Sequence, residues 1–171
     1  MADVLFDYKS AAEDRVKQRA SKICDGILNQ PDVDIFVFNE VFFEDAREIF
    51  YERLSPQFPS VIKKIGSETE CSEDSGLMLF ARWEFQFQPL PSAVKDRKAD
   101  DVTAYNGSQW SSFDNVAFVE YTDSNCEDSL ANKGVAYVRI LNTRVIPGQI
   151  LHVVFTHTQA DPTFCPLQSD D

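Results

Sequence analysis

The sequence lacks several features that would assign it to a common class of protein. No apolar run reaches 18 residues, so a transmembrane helix is not expected. No CxxC pair or Cys/His cluster occurs among its four cysteines, which excludes the usual structural zinc sites. Internal repeats and low-complexity segments are absent, which argues against a repeat protein. The first residues contain neither a basic nor a long apolar segment, so the sequence as given predicts no secretory signal.

Positive charge is also scarce in this chain. Sixteen Lys and Arg residues stand against 28 Asp and Glu, which gives a net charge of −12. Such a chain is a poor non-specific ligand for nucleic acids or anionic membranes, so a nucleic-acid partner is not expected. The same charge would suit a divalent cation, although acidity most often serves only solubility.

What the sequence does contain is the composition of a globular protein. The chain has 171 residues, of which 43% are hydrophobic, and 14 of them are Phe. This length and composition are sufficient for one domain with a well-developed core, and we expect a single domain over residues 1–171.

The segment 32–42 is the clearest structural signal. Residues 35–38 (Ile-Phe-Val-Phe) form a continuous apolar run, which predicts a strand buried on both faces of a sheet. The run ends at Asn39 and Glu40. A carboxylate at the end of a buried strand needs a basic side chain or a divalent cation beside it, unless the strand end reaches water and Glu40 is simply solvated.

The remaining elements follow from periodicity and turn residues. Apolar residues recur at helical spacing in 12–29 and 45–54, and a proline follows each segment. Residues 66–75 read as a solvated polar turn, and 89–115 as a long loop. Helices that alternate with apolar strands indicate an α/β fold. The later strands are predicted at 76–83, 116–121, 134–141 and 150–157.

The last two strands predict an antiparallel hairpin closed by Pro147 and Gly148. Directly opposed residues of a hairpin have numbers with a constant sum. If Gly134 opposes His157, the same register carried beyond the open end of the hairpin pairs Cys126 with Cys165. A disulfide between these two cysteines and two free buried thiols both remain open at this point.

His157 ends an apolar strand, as Glu40 does. A lone histidine at a strand end is usually structural. Polar groups at the ends of separate apolar strands in an α/β layer are nevertheless the usual way in which a sheet presents an active site. Glu40 and His157 are therefore the candidate catalytic residues.

Four motifs occur in a characteristic order, and together they resemble the endonuclease/exonuclease/phosphatase superfamily. More closely, they resemble the bacterial-type neutral sphingomyelinases, which are magnesium-dependent phospholipase C enzymes that cut sphingomyelin. The resemblance implies a partial α/β sandwich, mainly its N-terminal half, with a buried mixed sheet and flanking helices. The motifs are Phe-Asn-Glu-Val-Phe at 38–42, Glu-Asp-Ser-Gly-Leu at 73–77, Asn-Lys-Gly-Val at 132–135 and Thr-His-Thr-Gln-Ala at 156–160.

The resemblance implies a metal-dependent reaction. Glu40 matches the glutamate that binds the essential Mg²⁺, or another divalent cation such as Mn²⁺. His157 matches a histidine that donates to an oxygen of the scissile phosphate. A second metal site would involve Glu73, Asp74 and the carbonyl of Phe42. The side chain at position 44 would complete it, but this position is Glu44 where Asn is more common in the family.

The resemblance also assigns residues outside the metal sites. Asn132, Lys133 and Gln159 are the candidate substrate contacts, and Cys126 and Cys165 fall where secreted members have a disulfide. An extracellular location follows from that pair. Other family motifs (Thr-x-Asn, Gly-Asp-x-Asn and Ser-Asp-His) are not found in this sequence, so we expect little or no turnover from these 171 residues alone.

Three functions are therefore compatible with the sequence. The first is hydrolysis of sphingomyelin, or a related phospholipid at a membrane surface, to ceramide and phosphocholine. The second is another phosphodiesterase or phosphatase of the superfamily, such as a nuclease or an inositol-phosphate phosphatase. The third is a non-catalytic accessory domain. Mg²⁺ binding that depends on Glu40 would separate the enzymes from the accessory domain.

Overall fold

A computed structural model describes residues 2–66, 73–86, 103–106, 110–112, 116–121 and 131–158. Side chains are described from residue 13 onwards, except those of 103–106 and 110–112. The elements, in chain order, are α1 (Ala2–Leu28), β1 (Ile35–Phe38), α2 (Glu44–Leu54), β2 (Ser60–Lys64), β3 (Met78–Ala81), β4 (Thr103–Asn106), β5 (Trp110–Ser112), β6 (Ala117–Glu120), β7 (Gly134–Asn142) and β8 (Gln149–Thr156).

The described elements form three layers. A five-stranded sheet has the order β1-β3-β2-β4-β5, and a three-stranded sheet has the order β6-β7-β8. The helices pack on one face of the larger sheet and the smaller sheet packs on the other. The α/β prediction is confirmed. The expectation of a mixed sheet is corrected, because all described strand pairs are antiparallel and only an isolated bridge between Glu73 and Ala131 is parallel.

The strand β3, which lies between β1 and β2, is an interior strand of the larger sheet. All four residues of β3 are buried: Met78 and Phe80 face the helices, while Leu79 and Ala81 face the smaller sheet. The strand β1 lies at the edge of the sheet, and its Val37 is 41% exposed. The prediction that β1 is buried on both faces was therefore wrong, because a continuous apolar run does not distinguish an edge strand from a central one.

The hairpin prediction is confirmed residue by residue. Val135 pairs with Thr156, and the register continues without a break to Asn142 opposite Gln149. The backbone N–H of His157 donates to the carbonyl of Gly134 over 3.1 Å, so the predicted pairing extends one residue beyond β8. Cys126 and Cys165 lie outside the described residues, and their disulfide stays a prediction.

Three strands and part of a helix were not predicted. The strand β2 was missed because it has only two successive apolar residues, Val61 and Ile62, and its stability comes from pairing with β3 and β4. The strands β4 and β5 lie within the segment expected to be a loop. The helix α1 begins at Ala2 instead of residue 12. No helix among the described residues is long and apolar enough to span a membrane.

Helix α1 presents a slightly different face to the core than the one predicted. Ala20 and Ile27 are buried as expected, but Ile23 is 37% exposed and Cys24 is fully buried in its place. The Cys24 thiol points to the carbonyl of Ile49 in α2, with Sγ 4.0 Å from the oxygen. Burial raises the pKa of this thiol to about 11.

A buried ion pair joins α2 to the segment that precedes β3. Arg47 and Asp74 are 1% and 2% exposed, and one guanidinium nitrogen lies 2.8 and 2.7 Å from the two carboxylate oxygens of Asp74. Arg47 Nε also donates to the carbonyl of Val41 over 2.7 Å, and Asp74 accepts from the backbone N–H of Gly76 over 2.7 Å. The expectation of a solvated turn is therefore wrong for Asp74 and Ser75, which are buried because Arg47 neutralises and holds the acid.

Removal of Arg47 is expected to destabilise the protein strongly. Arg47→Ala leaves the Asp74 carboxylate buried without its cation, which costs about 3–5 kcal/mol in the free energy of unfolding. Urea denaturation in the presence of a chelator measures this cost. The matched control is Arg53→Ala on the same helix. Arg53 pairs with the exposed carboxylate of Asp25 and donates to Ser21, and its loss leaves no buried charge unpaired, so this variant should be destabilised much less than Arg47→Ala. Equal losses in the two variants would contradict the structural assignment.

Cys24 is expected to resist alkylation in the folded protein. With a pKa of about 11 and no exposed surface, only about one thiol in a thousand is ionised at pH 8, and reagents do not reach it. Peptide mapping after brief iodoacetamide treatment should find Cys24 unmodified in the native chain and modified in urea. Rapid native labelling of Cys24 would show that α1 does not pack as described.

Candidate functional site

Glu40 is the second residue after β1 and has a constrained backbone conformation. Its φ angle is +62°, in the left-handed region that residues other than glycine rarely adopt. The next residue, Val41, holds this conformation from both sides. Its N–H donates to the carbonyl of Gly76 over 3.0 Å, and its carbonyl accepts from Arg47. The Glu40 carboxylate is 72% exposed, so strained backbone presents a solvent-accessible acid, as is common at functional sites.

His157 lies directly after β8, and its ring is held by a backbone carbonyl. The residue is 4% exposed, and its Nδ1 is 2.9 Å from the carbonyl oxygen of Ser75. A carbonyl can only accept, so Nδ1 carries a hydrogen. Nε2 is then the nitrogen that is available for chemistry.

The two candidate catalytic residues meet at this point. His157 Nε2 lies 3.4 Å from an Oε1 atom of Glu40, and Asn39 joins the ends of their strands by donating to the carbonyl of Thr156 over 3.2 Å. If the ring is neutral and carries its hydrogen on Nδ1, then Nε2 is a hydrogen-bond acceptor. It faces a second acceptor, the carboxylate oxygen of Glu40. The arrangement is favourable only when a proton or a cation lies between the carboxylate and the imidazole.

Gly76 allows this close arrangement. Its φ angle is +65°, and a Cβ atom at this position would lie 2.7 Å from the ring of Phe42 and 3.2 Å from the Cα of Glu40. A side chain at position 76 would therefore press directly on the segment that carries Glu40. The motif Glu-Asp-Ser-Gly thus contributes a buried acid, a carbonyl for His157 and a residue without a side chain.

Two of the acids expected at a second metal site, Asp74 and Glu44, are in contact with basic side chains. Both oxygens of Asp74 contact Arg47, and Glu44 accepts from Lys63 over 2.5 Å. Burial alone would raise the pKa of Glu44, but the hydrogen bond and charge of Lys63, together with the charge of Arg47, lower it below its usual value. Asp74 therefore does not present a carboxylate oxygen to a metal ion in this structure. The described residues include no group of three or more His, Cys, Asp or Glu side chains arranged for a metal.

The other candidate residues lie near the same loop. The backbone N–H of Asn132 donates to the carbonyl of Glu73 over 3.1 Å, and Lys133 is largely buried at 9% exposure. Phe42 packs its ring next to His157, with the centroids 6.0 Å apart. Gln159 lies outside the described residues, and its role stays a prediction.

A single exposed carboxylate at Glu40 fits the chemistry of Mg²⁺. This ion prefers hard oxygen ligands and usually binds one or two carboxylates, with water and substrate phosphate completing its shell. The left-handed backbone directs the Glu40 side chain outwards, and the opposed acceptors at Glu40 and His157 favour a cation nearby. Glu40 is thus a suitable metal ligand.

A groove of about 260 Å³ opens beside Glu40, between α1 and the start of α2. Its lining is largely apolar and includes Val16, Ile23, Phe43 and Phe50, with Arg19 as a basic residue. Phe43 is 60% exposed. Sequence reasoning missed this groove because it depends on how α1 packs against α2. Sequence reasoning also missed the role of Arg47, because the spacing of apolar residues in α2 does not show whether an arginine is buried or exposed.

Comparison with known proteins agrees with the resemblance seen in the motifs. No protein-family model matches the chain. Sphingomyelinase C of Leptospira interrogans is 30% identical over 156 residues, which span 86% of this chain and 23% of that protein. The chain therefore spans about a quarter of the length of this relative.

Solved structures agree at the level of the fold. Sphingomyelinase C from Streptomyces griseocarneus superimposes with a TM-score of 0.58 at 18% identity, over 88% of this chain and 44% of that one. A beta toxin mutant from Staphylococcus aureus, solved with bound magnesium ions, gives 0.60 at 17% identity over 91% and 46%. Over this region, the chain is similar in sequence to the bacterial sphingomyelinases and has their fold.

Proposed function

We propose that this chain carries part of the active site of a magnesium-dependent phosphodiesterase that hydrolyses sphingomyelin to ceramide and phosphocholine. The observation that supports it best is the approach of Glu40 Oε1 to His157 Nε2, with the hydrogen on the other ring nitrogen fixed by Ser75. A carboxylate for a cation and an imidazole for a phosphate oxygen are thereby placed side by side.

The two residues have different tasks in this proposal. Glu40 would hold the divalent ion, which when bound polarises the phosphodiester and assists the attacking water. His157 would present Nε2 to a phosphoryl oxygen, and an Nε2–H donated there would stabilise the negative charge that develops on this oxygen. Ser75 keeps the ring in the orientation that directs Nε2 to this oxygen.

Two features favour a lipid over a nucleic acid as the substrate. The groove beside Glu40 is mostly apolar and can accept the aliphatic part of an amphiphile. The net charge of −12 opposes the approach of a polyanion. The related Leptospira protein is named sphingomyelinase C, which agrees with a sphingomyelin or related phospholipid substrate at a membrane surface. Asn132, Lys133 and Gln159 are proposed to contact this substrate.

We also propose that the protein acts outside the cell. The support is the predicted pairing of Cys126 with Cys165, because disulfides persist in oxidising compartments. Mass spectrometry without a reducing agent tests this pairing, and two free thiols would contradict it.

Binding of Mg²⁺ is expected to depend on Glu40. Isothermal titration of the folded chain should detect binding that Glu40→Gln abolishes, because the amide is neutral and a poorer ligand for a hard cation. Asp32→Asn is the matched control, since it removes an exposed carboxylate at the other end of β1 and should leave binding unchanged. Absence of Mg²⁺ binding by the wild-type chain, or equal binding by Glu40→Gln, would contradict the proposed function.

Replacement of the two histidines is expected to have very different effects on hydrolysis. Mg²⁺-dependent release of phosphocholine from sphingomyelin vesicles is measured at high protein concentration, because little turnover is expected from these 171 residues alone. It should fall by about 100-fold or more in His157→Asn, as for other lost transition-state donors. His152→Asn should change the rate by less than about twofold, because His152 is exposed and pairs with Tyr137 on the smaller sheet. A similar rate in both variants would exclude a catalytic role for His157.

A further inference from the structure

We propose that the guanidinium of Arg47 takes the place of a second divalent cation, so that this protein binds one catalytic metal ion and carries its other cation in its own chain. The inference rests on the proposed function, because it concerns the same site. It follows from the disagreement between the ligands expected for a second metal and the contacts that these residues make.

The oxygen atoms around Arg47 resemble the ligand set of a hard cation. Arg47 Nε is 2.7 Å from the carbonyl oxygen of Val41, and a terminal nitrogen is 2.8 and 2.7 Å from the two oxygens of Asp74. The other terminal nitrogen is 3.6 Å from an oxygen of Glu44. One backbone carbonyl and two carboxylates converge on one positive group, which is the donor chemistry that divalent cations of the Mg²⁺ and Ca²⁺ type select.

The cation joins the same segments that a metal ion at this place would join. Val41 belongs to the segment after Glu40, Glu44 begins α2, and Asp74 precedes the carbonyl that holds His157. A guanidinium can do this with a fixed planar geometry and five N–H donors, and it does not dissociate. The arrangement around Glu40 is therefore independent of a second metal.

Charge balance gives a second argument. The carboxylates in contact with this cluster are those of Glu44, Glu48 and Asp74, and three basic side chains match them. Arg47 contacts Asp74, Lys63 lies 2.5 Å from Glu44 and 2.6 Å from Glu48, and Lys64 lies 3.8 Å from Asp74. The cluster therefore has no excess of negative charge that would attract a divalent ion while Arg47 is present.

The experiment counts Mn²⁺ sites by electron paramagnetic resonance in a Glu40→Gln background, which removes the catalytic site. With Arg47 intact, the expected number of bound ions is zero. With Arg47→Ala added, the two carboxylates and the Val41 carbonyl become available, and one Mn²⁺ should bind. At about 100 times its dissociation constant, Mn²⁺ should raise the melting temperature of this double variant by about 5 °C or more.

Arg47→Lys in the same background is the matched control. It keeps a positive charge between the carboxylates, so it should bind no Mn²⁺ and its melting temperature should not respond. A folded Glu40→Gln/Arg47→Ala variant that neither binds nor responds to Mn²⁺ would overturn the inference. Binding of Mn²⁺ by Glu40→Gln with Arg47 intact would also overturn the inference. This second measurement tests the inference even if the Arg47→Ala variant does not fold.

The number of Mn²⁺ ions bound by the wild-type chain distinguishes the proposed function from the inference about Arg47. One site in the wild-type chain, lost in Glu40→Gln, supports both. A wild-type chain without any site contradicts the proposed metal role of Glu40, while the gain of one site on removal of Arg47 still tests the inference. Two sites in the wild-type chain overturn the inference and leave the proposed function intact.

Discussion

The buried ion pair between Arg47 and Asp74 is the interaction on which the candidate site depends. A carboxylate that is 2% exposed is tolerated only with a fully paired cation, and Arg47 provides it from the first turn of α2. The pair brings together segments that are distant in the sequence. Through Val41 it reaches the segment of Glu40, and through Gly76 it reaches the loop that contains Ser75. The pair thus adds to the hydrogen bond between Val41 and Gly76, which joins the same two segments.

The site that results is asymmetric in a chemically useful way. Glu40 is exposed on strained backbone, whereas His157 is buried and its Nδ1 is occupied by a carbonyl. The open side of the carboxylate suits a hydrated cation, and the buried imidazole presents only Nε2. Rigid strands carry both residues to the same edge of the molecule, and Asn39 connects their ends. In the proposed function, a phosphodiester that approaches this edge would meet the cation held by Glu40 and the Nε2–H of His157 at once.

The sequence was informative where a pattern is local and periodic. Strand β1, helix α2 and the β7–β8 hairpin register were predicted correctly because apolar runs, helical spacing and turn residues each act within a few residues. Glu40 and His157 could be found as polar residues at strand ends, and the structure places them together. The pairing of β2, the edge position of β1 and the burial of Asp74 could not be predicted, because each depends on contacts between distant segments.

The motif comparison pointed correctly to the bacterial sphingomyelinases. Its assignment of Asp74 to a second metal site stays a prediction, and in this chain an arginine contacts that residue. A sequence motif shows which acidic residues are present, but it does not show which positive group contacts them in the folded protein. The departure at Glu44 was the visible sign that this part of the site differs.

The ring nitrogens of His157 provide the most direct test of the central claim that the Arg47–Asp74 pair positions the site. The chain has only two histidines, so ¹⁵N NMR of the imidazoles can assign both, with His152 as an internal control. The account predicts a protected Nδ1–H on His157 in the wild-type chain and clearly faster exchange of this hydrogen in folded Asp74→Asn, because the segment of Ser75 then loses its ionic contact with α2 and keeps its hydrogen bonds to Ile65 and Leu77. Unchanged protection of Nδ1–H in Asp74→Asn would show that the ion pair does not position His157, and would contradict the account.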